Sequence, residues 1–245
     1  MVDRAFGSEL PEEQRSAAPL AGGIARNGYQ CGMVWGATRA AGAEAHRRFG
    51  GGARAEALGV TAAQRIVSAF RAQNGALDCH DLTGTDFDSK AQTWRYLLTG
   101  GAVGCFRMAA RFAPLAKAEI DTALAPDGVP PPEPPVSCAS LVARTLGADD
   151  RQAVMAAGFA GGVGLCGGAC GALAAAVWVG SLSSGRDFSA LEGRAAPTIA
   201  RFLAATGGRF ECAEIVGHRF EDVAEHAAFV RGGGCAKVVE ALTAK

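Results

Sequence analysis

The sequence of 245 residues is poor in aromatic side chains, with 12 Phe, 3 Trp and 2 Tyr. That poverty disfavours a β-sandwich, because aromatic and β-branched residues populate strands. Neither sign of charge is in excess: Lys plus Arg is 24, Asp plus Glu is 24, and the net charge is zero. Without a basic field, nucleic-acid binding loses its main electrostatic term, and no such partner is expected. The opening MVDRAFGSELPEEQ has no basic stretch followed by an apolar run. No secretory signal is therefore visible, and a cytoplasmic, reducing compartment is expected. No Gly-X-Y period occurs, which excludes collagen. The chain has no Cys-x-x-Cys pair, which weakens zinc-ribbon and thioredoxin-like readings, and no Cys-x-x-Cys-His for heme attachment. It also lacks a Lys-Ser or Lys-Thr after a glycine loop, so nucleotide binding is disfavoured.

Small residues are abundant instead. There are 52 Ala and 34 Gly, and Ala is the best helix former. This balance predicts an all-α protein with helices packed closely through small side chains. From Gln152 to Gly185 the chain carries no formal charge over 34 residues, longer than a membrane span needs. Nine of those residues are Gly, however. The stretch most like a lipid-facing helix, Gly171 to Leu182, has only 12 residues.

The chain repeats itself. Leu20 to Ala37 (LAGGIARNGYQCGMVWGA) aligns without gaps on Phe159 to Ala176 (FAGGVGLCGGACGALAAA), with seven of 18 positions identical. Gly22 and Gly23 fall on Gly161 and Gly162, and Cys31 falls on Cys170. Further on, Phe70 to Cys79 matches Phe202 to Cys212, and both copies continue Cys-x-x-x-x-Gly-x-x-Phe. TGGAVGC ends at Cys105 and RGGGC ends at Cys235. Composition alone would not align three Cys and two Phe. The first copy of the uncharged stretch carries Arg26 and Arg39. Arginine in mid-bilayer is costly, so no membrane span is expected in either copy.

Six of the ten Pro lie in PDGVPPPEPP, residues 126–135. Proline favours extended structure, so this segment reads as a semi-rigid linker. It joins two related helical halves, 1–125 and 136–245, conceivably about a pseudo-twofold axis. The second opens with an extra helix carrying Cys138, and the first has no counterpart of that cysteine. Thr61-x-x-Gln64 reads as a capping box and Asn74-Gly75 as a stop, predicting a helix over Ala62 to Gln73. Ser189-x-x-Glu192 opens the corresponding helix of the second half. Further helices are predicted over Gly32 to Gly42, over Gly171 to Leu182, and over Phe106 to Ala125 with a kink at Pro114. Ser137 caps the Cys138 helix. No strand is convincing.

Cys31 and Cys170 stand where a glycine-rich loop gives way to a helix. Free amides and the helix dipole favour negative charge there, so both are expected to have lowered pKa values and to be candidate nucleophiles. The Gly22-Gly23 and Gly161-Gly162 pairs would let backbone amides approach an anionic cofactor. The remaining cysteines of each trio also border glycines, and three helix termini converging on one point is the arrangement expected. Cys166 lies four residues before Cys170, and the two would share a face if the segment were helical. His80, beside Cys79, is a further candidate ligand, though a surface position suits it better.

The order Gly-Gly-Ile/Val, Cys-Gly-x-x-x-Gly, Phe-x-x-x-x-Gly-x-x-x-Cys and a distal Gly-Cys resembles the C_GCAxxG_C_C family of redox-active proteins. CGMVWG (Cys31 to Gly36) has Met where the family has Ala, and CGALAA (Cys170 to Ala175) has Ala where Gly is expected. Cys79 and Cys105, and Cys212 and Cys235, occupy the downstream cysteine positions, and Cys138 resembles the upstream one. The resemblance covers most of 20–110 and 137–240. It implies a helical, redox-active protein, related to domains found beside iron–sulfur and heme carriers.

Three functions are therefore in play. In the first, an iron–sulfur cluster for electron transfer is bound by Cys170, Cys212 and Cys235 plus Cys166 or Cys138, meeting the usual count of four thiolates. The first half, with Cys31, Cys79 and Cys105, would then hold an incomplete site, a cluster completed by another ligand, or a structural copy. In the second, the protein is a metal-free thiol/disulfide oxidoreductase in which Cys31 or Cys170 attacks and a cysteine of its own trio resolves. In the third, it is a helical binding module with inert buried cysteines. The redox readings require a partner protein, which the sequence does not identify, and oligomeric state leaves no trace in it.

Overall fold

The computed structural model describes residues 2–125 and 131–244, except that 183–187 are left out and the side chains of 188–194 are not described. The Pro126–Pro130 part of the expected linker and the Ser189–Glu192 cap thus lie outside the described side chains. The chain is all-α, with fourteen α-helices among the described residues. The first half contains α1 (Val2–Ala5), α2 (Pro11–Ser16), a 3-10 turn (Ala18–Leu20), α3 (Gly32–Phe49), α4 (Ala53–Asn74), α5 (Cys79–Thr83), α6 (Lys90–Leu98) and α7 (Gly101–Ala123). The second contains α8 (Cys138–Thr145), α9 (Asp150–Ala157), α10 (Gly171–Leu182), α11 (Phe188–Thr206), α12 (Cys212–Val216), α13 (Val223–Arg231) and α14 (Ala236–Thr243). No helix of the described residues is long and apolar enough to cross a membrane.

Several boundaries differ from expectation for physical reasons. Thr61 does not open a helix: α4 begins eight residues earlier, and Thr61 Oγ1 instead donates to the Ala57 carbonyl at 3.0 Å. Burial of Ala55, Leu58 and Val60 extends the apolar face upstream and overrides the local cap signal. The end at Gly75 holds, with φ of 80° and its amide on the Arg71 carbonyl. The single extra helix expected around Cys138 is two helices, broken at Gly147 and restarted by an Asp149/Gln152 capping box. Short α1 and α2 occupy the corresponding stretch of the first half. Ser137 does cap α8, accepting from the Ser140 amide at 3.2 Å.

The halves interlock. In the first half α2 and the 3-10 turn pack on α10, and the 3-10 turn also meets α11. In the second half α9 packs across α3 and α4. Each half thus lends an early element to the other, while α1 and α8 stay on their own halves, and one hydrophobic core spans both. Phe159 sits at its middle, edge-on to Trp35 at 5.2 Å and to Trp178 at 6.3 Å between ring centroids. Small residues allow this closeness: a Cβ on Gly42 of α3 would stand 2.4 Å from the Val154 carbonyl oxygen of α9.

Two isolated antiparallel bridges, Gln30 with Asp78 and Ala169 with Glu211, are the extended pairings among the described residues. They occupy equivalent places in the repeats. Before each lies a tight coil of five consecutive left-handed residues, Gly22 to Arg26 and Gly161 to Leu165, all with positive φ. That conformation penalises non-glycine residues. It reverses the chain and delivers the bridge, and with it the cysteine that follows.

Candidate functional site

The bridges bring distant cysteines side by side. In the first half the Cys31 amide donates to the Leu77 carbonyl at 2.8 Å and the Cys79 amide to the Tyr29 carbonyl at 2.7 Å. In the second half Cys170 donates to Phe210 at 3.0 Å and Cys212 to Gly168 at 2.6 Å. Each pair is thereby placed at two helix starts: Cys31 precedes α3 and Cys79 opens α5, while Cys170 precedes α10 and Cys212 opens α12. The third cysteine arrives at another start, Cys105 in the opening turns of α7 and Cys235 just before α14.

Electrostatic coupling follows the same grouping. In the first half Cys79 feels both Cys31 and Cys105. In the second, Cys138 feels Cys235, Cys170 and Cys212. Cys138, at the start of α8, joins the three as a fourth thiol, and its strongest interaction is with Cys235. Cys166 turns elsewhere. Its thiol donates to the Gly162 carbonyl at 2.7 Å, and the residue lines a separate cavity of about 260 Å³ with Arg71, Asp78, Glu211 and Arg219. Its segment is a turn, so it does not share a helical face with Cys170. Cys138 is felt together with all three cysteines of the trio, whereas Cys166 acts on Cys212. His80 is exposed.

The expected lowering of the Cys31 and Cys170 pKa values is reversed. Burial pushes each thiol up to about 11, although the Met33 amide helps the Cys31 thiolate and the Leu173 and Ala172 amides help that of Cys170. The helix-start geometry is as expected, but desolvation of the charged form outweighs it. Burial, followed by its sister thiols, lifts Cys79 to about 12. The exception is Cys235. The hydrogen bond from Cys138 lowers its pKa against the opposing effect of burial, and the same bond, followed by burial, raises Cys138. Cys235 is thus the member of the pair that ionises more readily. Cys235 is half-buried, whereas Cys138 is 3% exposed.

The glycine pairs serve the loops themselves. A Cβ on Gly23 would lie 2.1 Å from the Tyr29 amide nitrogen, and one on Gly162 would lie 2.4 Å from the Gly168 carbonyl oxygen. The space a side chain would need at these two glycines is taken by the backbone of their own loops. The glycine after each helix-start cysteine has a similar origin: a Cβ on Gly171 would overlap the Phe159 carbonyl oxygen at 1.7 Å.

Sequence reasoning missed Tyr96. Its hydroxyl lies 2.9 Å from the Cys105 sulfur, where the second half has the Cys138 thiol against Cys235. Burial, and then the bond to Cys105, holds the phenol protonated by raising its pKa. The signal was available in the repeat. The offset that puts Cys79 on Cys212 and Phe87 on Phe220 puts Tyr96 on Phe229, so a hydroxyl is present in one copy only.

Iron–sulfur binding was the leading expectation for these cysteines. The second half offers four thiols, the usual number. Among the described residues, however, no group of three or more His, Cys, Asp or Glu side chains is arranged to hold a metal ion. The donor count fits such a group and the arrangement does not. No curated protein and no solved structure matches the chain. The cysteine and glycine order does match one family along nearly the whole chain, over residues 1–118 and again over 136–245. The protein belongs to the family described as "Putative redox-active protein (C_GCAxxG_C_C)", of which it carries two tandem copies.

Proposed function

We propose that the protein is a thiol/disulfide oxidoreductase whose working pair is Cys235 and Cys138. One observation carries this reading: Cys138 lies close enough to Cys235 to lower the pKa of that more accessible thiol against the opposing effect of burial. Thiolate is the attacking species in disulfide exchange, and a buried neighbour suits the resolving role. Cys235 attacks a sulfur of a disulfide substrate, forming a mixed disulfide and releasing a thiolate that takes up a proton. Cys138 then attacks the Cys235 sulfur and releases the second substrate thiol. The substrate gains two electrons and the protein is left with a Cys138–Cys235 disulfide. Cys170 and Cys212, within electrostatic reach of the pair, raise the cost of a second negative charge and so favour one thiolate at a time.

Mapping of thiols in a redox-buffer titration tests this. The Cys138–Cys235 disulfide should form and break reversibly, and Cys138→Ala should trap a mixed disulfide on Cys235. If both thiols stay reduced across the titration, the proposal fails. A second reading, an iron–sulfur cluster on Cys138, Cys170, Cys212 and Cys235, rests on the count of four thiols and requires their side chains to rearrange. Iron and acid-labile sulfide in anaerobically purified protein, lost on Cys170→Ser, would favour it instead.

A further inference from the structure

The second half shows what covers a cysteine of this kind. An extended segment lies along α13, with the His226 ring bonded to the Val136 carbonyl at 3.1 Å and Arg231 donating to the Glu133 carbonyl at 2.6 Å. That segment runs directly into α8 and brings the Cys138 thiol onto Cys235. On α13, which also meets α4, Ala227 is 0% and Val230 is 6% exposed.

The repeat offset puts Trp94 on Ala227 and Leu97 on Val230. In the first half this face is bare. Trp94 is 65% exposed, Leu97 50%, Leu98 81%, Val103 51% and Phe106 72%. These side chains lie on α6 and the start of α7, beside a cavity of about 370 Å³ lined by Tyr96, Gly101, Gly104 and Cys105. On the other side of Trp94 a second cavity, about 540 Å³, is walled by Phe87, Ile199 and Leu203. Clustered apolar exposure of this kind marks an interaction surface, and here its rim carries a half-buried thiol.

We infer that the first half receives in trans what the second half holds in cis: an extended, apolar, cysteine-bearing segment of a partner protein, docked on Trp94 and Leu97 and joined to Cys105 as a mixed disulfide. The inference rests on the redox reading above and names its partner class. The Cys105 thiolate, with the Tyr96 hydroxyl as hydrogen-bond donor, attacks one sulfur of the partner's disulfide. The partner's other sulfur leaves as thiolate and takes up the proton Cys105 gave up. Cys79 then attacks the Cys105 sulfur. The partner's cysteine departs with the Cys79 proton, and a Cys79–Cys105 disulfide remains. Two electrons pass to the partner, which ends as a dithiol.

The chain's own covering segment supplies the probe. A peptide of residues 133–145, its cysteine activated as the 2-thiopyridyl disulfide, is compared with 2-thiopyridyl cysteine, and labelled sites are located by mass spectrometry in the full chain. The peptide should label Cys105 at least tenfold faster than the small disulfide. Trp94→Ser with Leu97→Ser should abolish that advantage while the Cys138–Cys235 titration stays unchanged. Equal rates at Cys105, or an advantage that survives both substitutions, overturns the inference. So does a dimer in sedimentation that these substitutions dissolve, since a second copy would then own the surface. Failure of the redox reading is read on different residues, as absence of reversible Cys138–Cys235 oxidation.

Discussion

A cysteine becomes a nucleophile when something favours its charged form more than burial disfavours it, and here one residue tips that balance. Cys235 differs from Cys31 and Cys170 by having a thiol donor beside it. Cys138→Ala should therefore raise the pH at which Cys235 reacts with iodoacetamide, and Cys138→Ser, which keeps a donor, should largely restore it. An unchanged pH profile in the alanine variant would remove Cys138 from the role given to it. The sequence made the seven trio and upstream cysteines legible as a set, because the repeat aligns them. It could not show which would ionise, since the helix-start signal is local and the desolvation that defeats it comes from the whole core. Charge inside that core has a second consequence. Arg39 and Asp3 form a buried ion pair, their side chains 3% and 6% exposed, and Gln14 donates to Asp3 at 3.1 Å. Removing one partner strands the other charge, at a cost of about 3–5 kcal/mol. Asp3→Ala should lose about that much stability in urea unfolding. A loss below about 1 kcal/mol, the range of exposed pairs, would mean that solvent reaches Arg39 through a cavity of about 360 Å³ that Asp3, Gln14 and Arg39 line.

At the level of elements, the two left-handed coils set the position of everything that follows. Each contains side chains where glycine would be unstrained: Ile24, Ala25 and Arg26 in the first, Val163 and Leu165 in the second. A left-handed residue costs about 1–2 kcal/mol when it carries a Cβ. Ala25, at φ of 49° and only partly buried, contributes little packing in return. Ala25→Gly should thus stabilise the protein by about 0.5–1 kcal/mol, the strain relieved less the extra freedom given to the unfolded chain. A fall in denaturation midpoint would show that the alanine methyl packs better than its exposure suggests. Gly171 stands at the opposite limit, since a Cβ there meets a carbonyl oxygen at 1.7 Å. Helix composition was readable from Ala and Gly, and α10 follows its predicted span residue for residue. The end of α3 and the starts of α4 and α7 were less so. Propensity and caps are local signals, whereas α4 gains its first turns from packing against other helices.

For the whole molecule, the notable relation is between chain order and packing. The sequence repeat marks two copies, yet α2 and the 3-10 turn of the first lie on the second and α9 of the second lies on the first, a crossing that no local pattern records because it depends on which apolar faces meet. The join between copies is itself held: His226 of α13 is 1% exposed, bonds to the Val136 carbonyl, and has its pKa pulled by burial from 6.5 down to about 4. The groups facing it set the direction. Phe220 packs edge-on to the ring at 4.9 Å, and the Glu225 carboxylate, acting the other way, only partly offsets the burial. Between pH 6.5 and 4 the unfolded chain binds a proton at this histidine that the folded chain does not. Stability from this group is therefore present above pH 6.5 and is lost as the pH falls toward 4, up to about 3 kcal/mol at about 1.4 kcal/mol per pKa unit. His226→Gln, which keeps a hydrogen-bonding side chain but does not titrate, should flatten the fall in urea midpoint between pH 6.5 and 4.5. Burying the imidazolium costs more than its bond to the Val136 carbonyl returns, and Val136 precedes α8 by two residues, so protonation of His226 should also favour opening of the segment that seats Cys138. Cys138 alkylation should then accelerate in acid relative to Cys212, once each is corrected for its thiolate fraction, in the native chain and not in the glutamine variant. Parallel behaviour of the two proteins would separate the histidine from the thiol pair and leave it a packing residue alone.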